Sequence, residues 1–182
     1  MIRMRWPPAI IVQRSEPTFF EQGVEMEAVS TQQLTLTRLW YLIGEWEGTG
    51  KGPDFRFRAS AHYSWALGDH FIAGQLTLSD LLSGELRAAE HVYYYYDNGL
   101  NCLVSDVFSL DGMTEHSLGH ADARGRMVLT TDRLDCVPRG STVCRLRRTV
   151  WTMAASQWAF AVEKDCGQGF APYLEGQMRH RG

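Results

Sequence analysis

Lysine is almost missing from this chain. Of 18 basic residues only Lys51 and Lys164 are lysine, the rest being arginine, and 21 acidic residues bring the formal net charge to −3. That slightly acidic balance lacks the basic bias of a nucleic-acid binder, so no nucleic-acid partner is expected. The arginines of residues 122–148 are too diffuse to form such a footprint. Long hydrophobic runs are also missing: none approaches the roughly 20 residues of a membrane-spanning helix, so no membrane span is expected. Cys102, Cys136, Cys144 and Cys166 show no Cys-x-x-Cys spacing, which excludes a zinc ribbon or a thioredoxin-type site. Four cysteines in 182 residues are too few for a disulfide scaffold. The apolar stretch Ala9–Val12 follows Pro7-Pro8 and is too short for the core of a secretory signal. A reduced, cytoplasmic protein is therefore expected. The chain also lacks a His-Glu-x-x-His pair, a nucleophile elbow, a phosphate-binding loop and a dinucleotide fingerprint. No catalytic residue is nominated, and the reading is of a binding protein rather than an enzyme. His116 and His120, four apart on a strand, would share a face at roughly 13 Å, too far for one metal ion. No metal site is expected.

Aromatic residues are what the sequence has in plenty. They make up 12% of the chain, with Trp6, Trp40, Trp46, Trp65, Trp151 and Trp158 joined by seven Tyr and eight Phe. In one domain of this length they line either a core or a cavity. Residues 1–30 carry Pro7, Pro8 and Pro17 without a sustained period and read as an N-terminal arm. Residues 31–182 read as a single domain. Within it, residues 31–43 place Leu36, Leu39, Trp40 and Ile43 at helical spacing, with Gly44 just past the end. From Gly44 onward the pattern changes. Nine turn signals, among them Gly52-Pro53-Asp54, Gly68-Asp69, Asp97-Asn98-Gly99 and Asp111-Gly112, separate ten segments rich in β-branched and aromatic residues. Asn98-Gly99 suits a tight type I′ hairpin turn. No stretch could supply the helical crossovers of a parallel sheet. Ten strands joined by short turns form a meander, and closing it removes the unpaired edges. The predicted fold is all-β: an up-and-down antiparallel β-barrel of about ten strands with a short N-terminal helix. A two-sheet sandwich is the alternative.

The faces follow from alternation. Phe55, Phe57, Ala59, Ala61, Tyr63 and Trp65 alternate with polar residues, as Trp158, Phe160 and Val162 do with their neighbours. Tyr93 to Tyr96 puts two tyrosines on each face, one pair suited to a cavity mouth and the other to an interface between two copies, which brings in a homodimer. Arg145, Arg147, Thr149 and Trp151 share one face of the eighth segment, and Cys144, Leu146, Arg148 and Val150 share the other. One arginine must therefore sit near the interior. Arg147 is nominated because Trp151 shares its face, either to neutralise an anionic ligand or to pair with an internal acid.

The segment Gly44-Glu45-Trp46-Glu47-Gly48-Thr49-Gly50-Lys51-Gly52 resembles the Gly-x-Trp opening of calycins, the superfamily of lipocalins and fatty-acid-binding proteins. Its longer glycine series resembles the nitrobindins. Trp65-Ala66-Leu67-Gly68-Asp69-His70-Phe71 and Arg145-Leu146-Arg147-Arg148-Thr149 resemble related bacterial calycin-like domains of unknown function. The resemblance implies a barrel plugged by Trp46 and covered by a late arginine, Arg179 or Arg181. It implies a small hydrophobic or amphipathic ligand, apolar or anionic, held by Trp46, Phe57, Tyr63, Trp65, Tyr95, Arg147, Trp151, Trp158 and Tyr173. Nitrobindins bind haem through a histidine in a late Pro-His-Leu, where this chain has Pro172-Tyr173-Leu174. Haem with peroxynitrite-related chemistry therefore becomes an alternative, with Tyr173 as its ligand. A filled barrel acting as a structural or interaction module is the third reading.

Overall fold

The computed structural model describes residues 36–137, 139–140 and 142–182. The arm 1–30, the Trp6 within it and the first part of the predicted helix lie outside the described residues. The rest forms a closed antiparallel barrel of ten strands: β1 (Gly44–Lys51), β2 (Arg56–Ala66), β3 (Phe71–Asp80), β4 (Leu86–Asp97), β5 (Cys102–Ser109), β6 (Thr114–Ala121), β7 (Met127–Asp135), β8 (Arg145–Ala154), β9 (Gln157–Asp165) and β10 (Ala171–His180). Each strand pairs with the next, and β1 closes on β10. The predicted barrel is the observed one, and its nine turns fall at the nine breaks read from the sequence. No helix among the described residues is long and apolar enough to cross a membrane.

Aspartates organise five of those turns. Asp80 accepts from the amides of Leu82 and Ser83, Asp97 from Gly99 and Leu100, and Asp111 from Met113. Asp122 accepts from Arg124 and Arg126, and Asp165 from Gly167 and Gly169. A short acceptor that ties its own backbone a few residues on is why Asp recurs at these places. The turn after β4 differs from the tight hairpin expected of Asn98-Gly99. It spans four residues, and the positive φ of 52° falls on Asn101. The Asp97 carboxylate sets that wider loop by holding two amides at once.

The leading helix is a 3-10 helix, Thr37–Leu42. Its three-residue repeat stacks Leu36, Leu39 and Leu42 on one buried face. That is why Trp40, expected on the buried side of an α-helix, stands 63% exposed. The helix lies against Trp46, whose indole N–H donates to the Leu42 carbonyl at 2.6 Å. Trp46 is buried, as a plug should be, and its cover is His180, edge-on with ring centroids 4.9 Å apart. Neither Arg179 nor Arg181 takes that place, because the register sets His180 directly opposite Trp46 and turns its neighbours to the outer face. The glycines of β1 allow β10 to come close. A Cβ on Gly50 would lie 2.3 Å from the Glu175 carbonyl oxygen, and one on Gly48 would lie 2.0 Å from that of Gln177.

At the opposite end a disulfide joins Cys144, just before β8, to Cys166 in the β9–β10 turn. This corrects the expectation of fully reduced cysteines. The two residues are 22 apart in sequence, but the β8–β9 hairpin brings Arg145 opposite Asp165 and so carries their neighbours together. Cys102 and Cys136 are free. The ladder between β7 and β8 is short, four residue pairs from Met127 to Thr130. Beyond it the Thr131 hydroxyl takes over, accepting from the Leu146 amide at 2.8 Å.

Candidate functional site

Inside the barrel lies a cavity of about 100 Å³. Leu76, Leu78, Val92, Val107, Val150 and Val162 make much of its wall, with Tyr63, Tyr94, Trp158, Phe160 and Tyr173 as aromatic sides. These positions follow from alternation on paired strands: Tyr63 faces Gly74, which faces Val92, which faces Val107, each pair directly opposite on one face. Gly74 is required there, because a Cβ would lie 2.2 Å from the Tyr63 ring. Trp158 packs edge-on to Trp46 at 6.0 Å and to Tyr63 at 6.2 Å, linking the plugged end to the cavity.

Two charged residues also line this apolar space, Arg148 and Glu90. A third, Glu115, is buried behind them, with 1% of its surface exposed. Arg148 donates to Glu115 through Nη1 and to Glu90 Oε1 through Nη2, the second contact at 3.3 Å. Glu115 is bound on all sides. Its Oε1 accepts from the Ser117 hydroxyl at 2.7 Å and from the Thr131 hydroxyl at 2.9 Å. Burial alone would raise the Glu115 carboxyl, but the Arg148 charge and the hydrogen bonds from Arg148, Ser117 and Thr131 outweigh it, holding it below the usual carboxylate range. Arg148 is affected in the complementary sense: burial works against its charge, while Glu90 and Glu115 hold the proton more firmly than usual. Burial pushes Tyr94 up to about 12, with Arg148 opposing and the two glutamates adding to the rise. Tyr63 lies well above its ordinary value, first through burial and then through Tyr94, with which it shares a hydrogen bond. Both tyrosines are therefore neutral hydroxyls at physiological pH. One polar group in the wall is unpaired: the Trp158 indole N–H, in a residue only 2% exposed, has no hydrogen-bond partner.

Of the nine residues nominated from the sequence, Tyr63, Trp158 and Tyr173 line the cavity. Trp46, Phe57 and Trp65 belong to the core around it, Phe57 stacking on Phe160 at 6.2 Å. Tyr95, Arg147 and Trp151 lie on the outer surface. Tyr95 faces out because Val92, Tyr94 and Tyr96 are the buried members of β4; its hydroxyl donates to Asp106 at 3.1 Å. Arg147 pairs with Glu163 through two contacts of 2.7 and 2.8 Å and lies 4.5 Å from the Phe170 ring centroid. The inward face of β8 is the other one, with Arg148 opposite Leu129 and Val150 opposite Met127. The inward arginine is thus Arg148, and it is the internally ion-paired one. Glu90 and Glu115 escaped the sequence reading because an acidic residue on a strand ordinarily marks the solvent face. The one available signal was that β8 carries an arginine on either face, so an inward one had to meet an acid.

The chain has the fold of Rv2717c. The crystal structure of Rv2717c from M. tuberculosis matches with a TM-score of 0.66 at 18% identity, covering 81% of this chain and 98% of that one. What the match shows is a shared fold, here the closed antiparallel β-barrel. No family model matches the chain, and no curated protein does. Haem, which the nitrobindin resemblance brought in, does not fit the residues present. The cavity is well below the ~300–1,000 Å³ of ordinary small-molecule sites. Its wall carries no histidine.

Proposed function

We propose that this protein binds a compact, largely apolar molecule inside the barrel. The observation that carries the reading is a cavity whose wall holds a buried, unpartnered donor, the Trp158 indole N–H. Leaving such a group unpaired costs roughly 1–3 kcal/mol, and a water or guest supplying an acceptor recovers much of it. The volume corresponds to roughly three waters at a liquid share of about 30 Å³ each. That is more than a filled barrel would leave and less than a fatty acid or a haem needs. A cytoplasmic setting belongs to the same proposal, and there the Cys144–Cys166 bond would be an exception, since disulfides are rare in that compartment. Alkylation of intact cells before lysis would test that part.

Native mass spectrometry of the purified full chain tests the binding itself. The expected result is a low-mass adduct that leaves on mild activation, or saturable uptake of benzyl alcohol with a change in tryptophan emission. No adduct and no saturable change with benzyl alcohol would overturn the reading.

A further inference from the structure

The charge inside the barrel says more about the guest than the apolar wall does. We infer that the cavity selects a small cationic amine over an anion of the same size, through the Glu90 carboxylate and the aromatic wall. This rests on the barrel-binding reading above. Three ionised groups sit inside: Arg148 with one positive charge, and Glu90 and Glu115 with one negative charge each. The interior therefore carries an excess of one negative charge. Glu115 has nothing left to offer, since Arg148, Ser117 and Thr131 occupy both of its oxygens. Glu90 is different. It lines the cavity and is held by a single long contact of 3.3 Å from Arg148, so its carboxylate retains capacity to accept.

A guest carboxylate would meet Arg148, but that guanidinium already serves two acids, and the newcomer would make a third negative charge beside one positive. Like charges this close in a poorly solvated space are strongly unfavourable. An ammonium would instead bring the interior to neutrality. It would donate to Glu90 while resting against aromatic faces, which attract cations through their quadrupoles. Tyr63, Tyr94, Trp158 and Phe160 supply those faces. Lys164 follows the inward phase of β9, opposite Leu146, and its ammonium already lies over Tyr173 at the mouth of the barrel, but it is not among the residues that line the cavity beside Glu90.

Three probes that share one ring and differ in charge test this: benzylamine, benzyl alcohol and benzoate, titrated calorimetrically into the full chain at pH 7. Benzylamine is expected to bind at least about tenfold more tightly than benzoate, with benzyl alcohol between them. Glu90→Gln is expected to remove most of benzylamine's advantage over benzoate, bringing the two affinities together. Benzoate binding as tightly as benzylamine, or equal affinity for all three, would overturn the inference and leave the binding function standing. If none of the three binds, the binding function falls and this inference with it. The comparison of the three probes on the unaltered chain decides even if the variant does not fold.

Discussion

Replacing Arg148 by methionine should destabilise the barrel more than any other single change to a charged residue described above, and the reason can be worked through. Arg148 keeps 14% of its side chain exposed and pairs with Glu115, whose side chain is 1% exposed. Methionine fills much of the same length but leaves the Glu115 carboxylate buried with two hydroxyl donors and no counter-charge. Breaking a buried pair from one side costs about 3–5 kcal/mol, against a total stability of roughly 5–15 kcal/mol. At this chain length about 2–4 °C accompanies each kcal/mol, so the melting temperature should fall by about 6–20 °C. Urea unfolding followed by tryptophan emission measures the change directly. The variant's pH dependence should also reverse. In the unaltered chain Glu115 has a lowered carboxyl pKa, so its contribution is complete above the unfolded value near 4.3 and lost as pH falls through the folded one. Without Arg148 only burial and two hydroxyls act, the folded pKa rises above the unfolded value, and Arg148→Met gains relative stability as pH falls toward 5. Adding Glu115→Gln should recover at least about half of the loss. A single variant within about 1 kcal/mol of the unaltered chain, or a double variant no better than the single one, would refute the argument.

Reducing the Cys144–Cys166 bond, or replacing Cys144 by serine, should cost roughly 3 kcal/mol by the entropy of its 22-residue span, read as a lower urea midpoint. Gly50→Ala should destabilise by about 1–3 kcal/mol or more, since its Cβ meets the rigid Glu175 carbonyl, and thermal unfolding would register it. Arg147→Gln should leave benzyl alcohol binding unchanged, because Arg147 sits outside against Glu163 and Phe170; a lost calorimetric signal would show a longer-range role.

The barrel itself was legible because its punctuation is chemical. An aspartate or glycine every ten residues or so marks a turn whatever the fold does elsewhere, and the absence of helical periods left only a meander to close. Strand faces were legible where apolar alternation is clean, as from Phe57 to Tyr63. They failed where both faces of a strand carry the same kind of residue. In β8 an arginine stands on each face, and the choice between Arg147 and Arg148 is made by acids more than 15 residues away in sequence, Glu163 outside and Glu115 inside. In β4 four consecutive tyrosines hide the phase, which Val92 settles only once its burial is known. The 3-10 winding of 37–42 was hidden for a related reason: Leu36, Leu39 and Leu42 suit a period of three, but Trp40 and Ile43 complete a period of 3.6 equally well.

The pairing of β1 with β10 makes the molecule a ring of hairpins with one connection left out. Nine of its ten ladders join segments adjacent along the chain, whereas Trp46 and His180 are about 130 residues apart. Such a chain can build its hairpins quickly and one by one, but the final closure carries the entropy of a very long loop. The glycine-bearing strands at that junction are therefore expected to be the last to pair. A permuted chain with β10 linked directly to β1 and new ends cut in another turn should fold to the same barrel at a different rate.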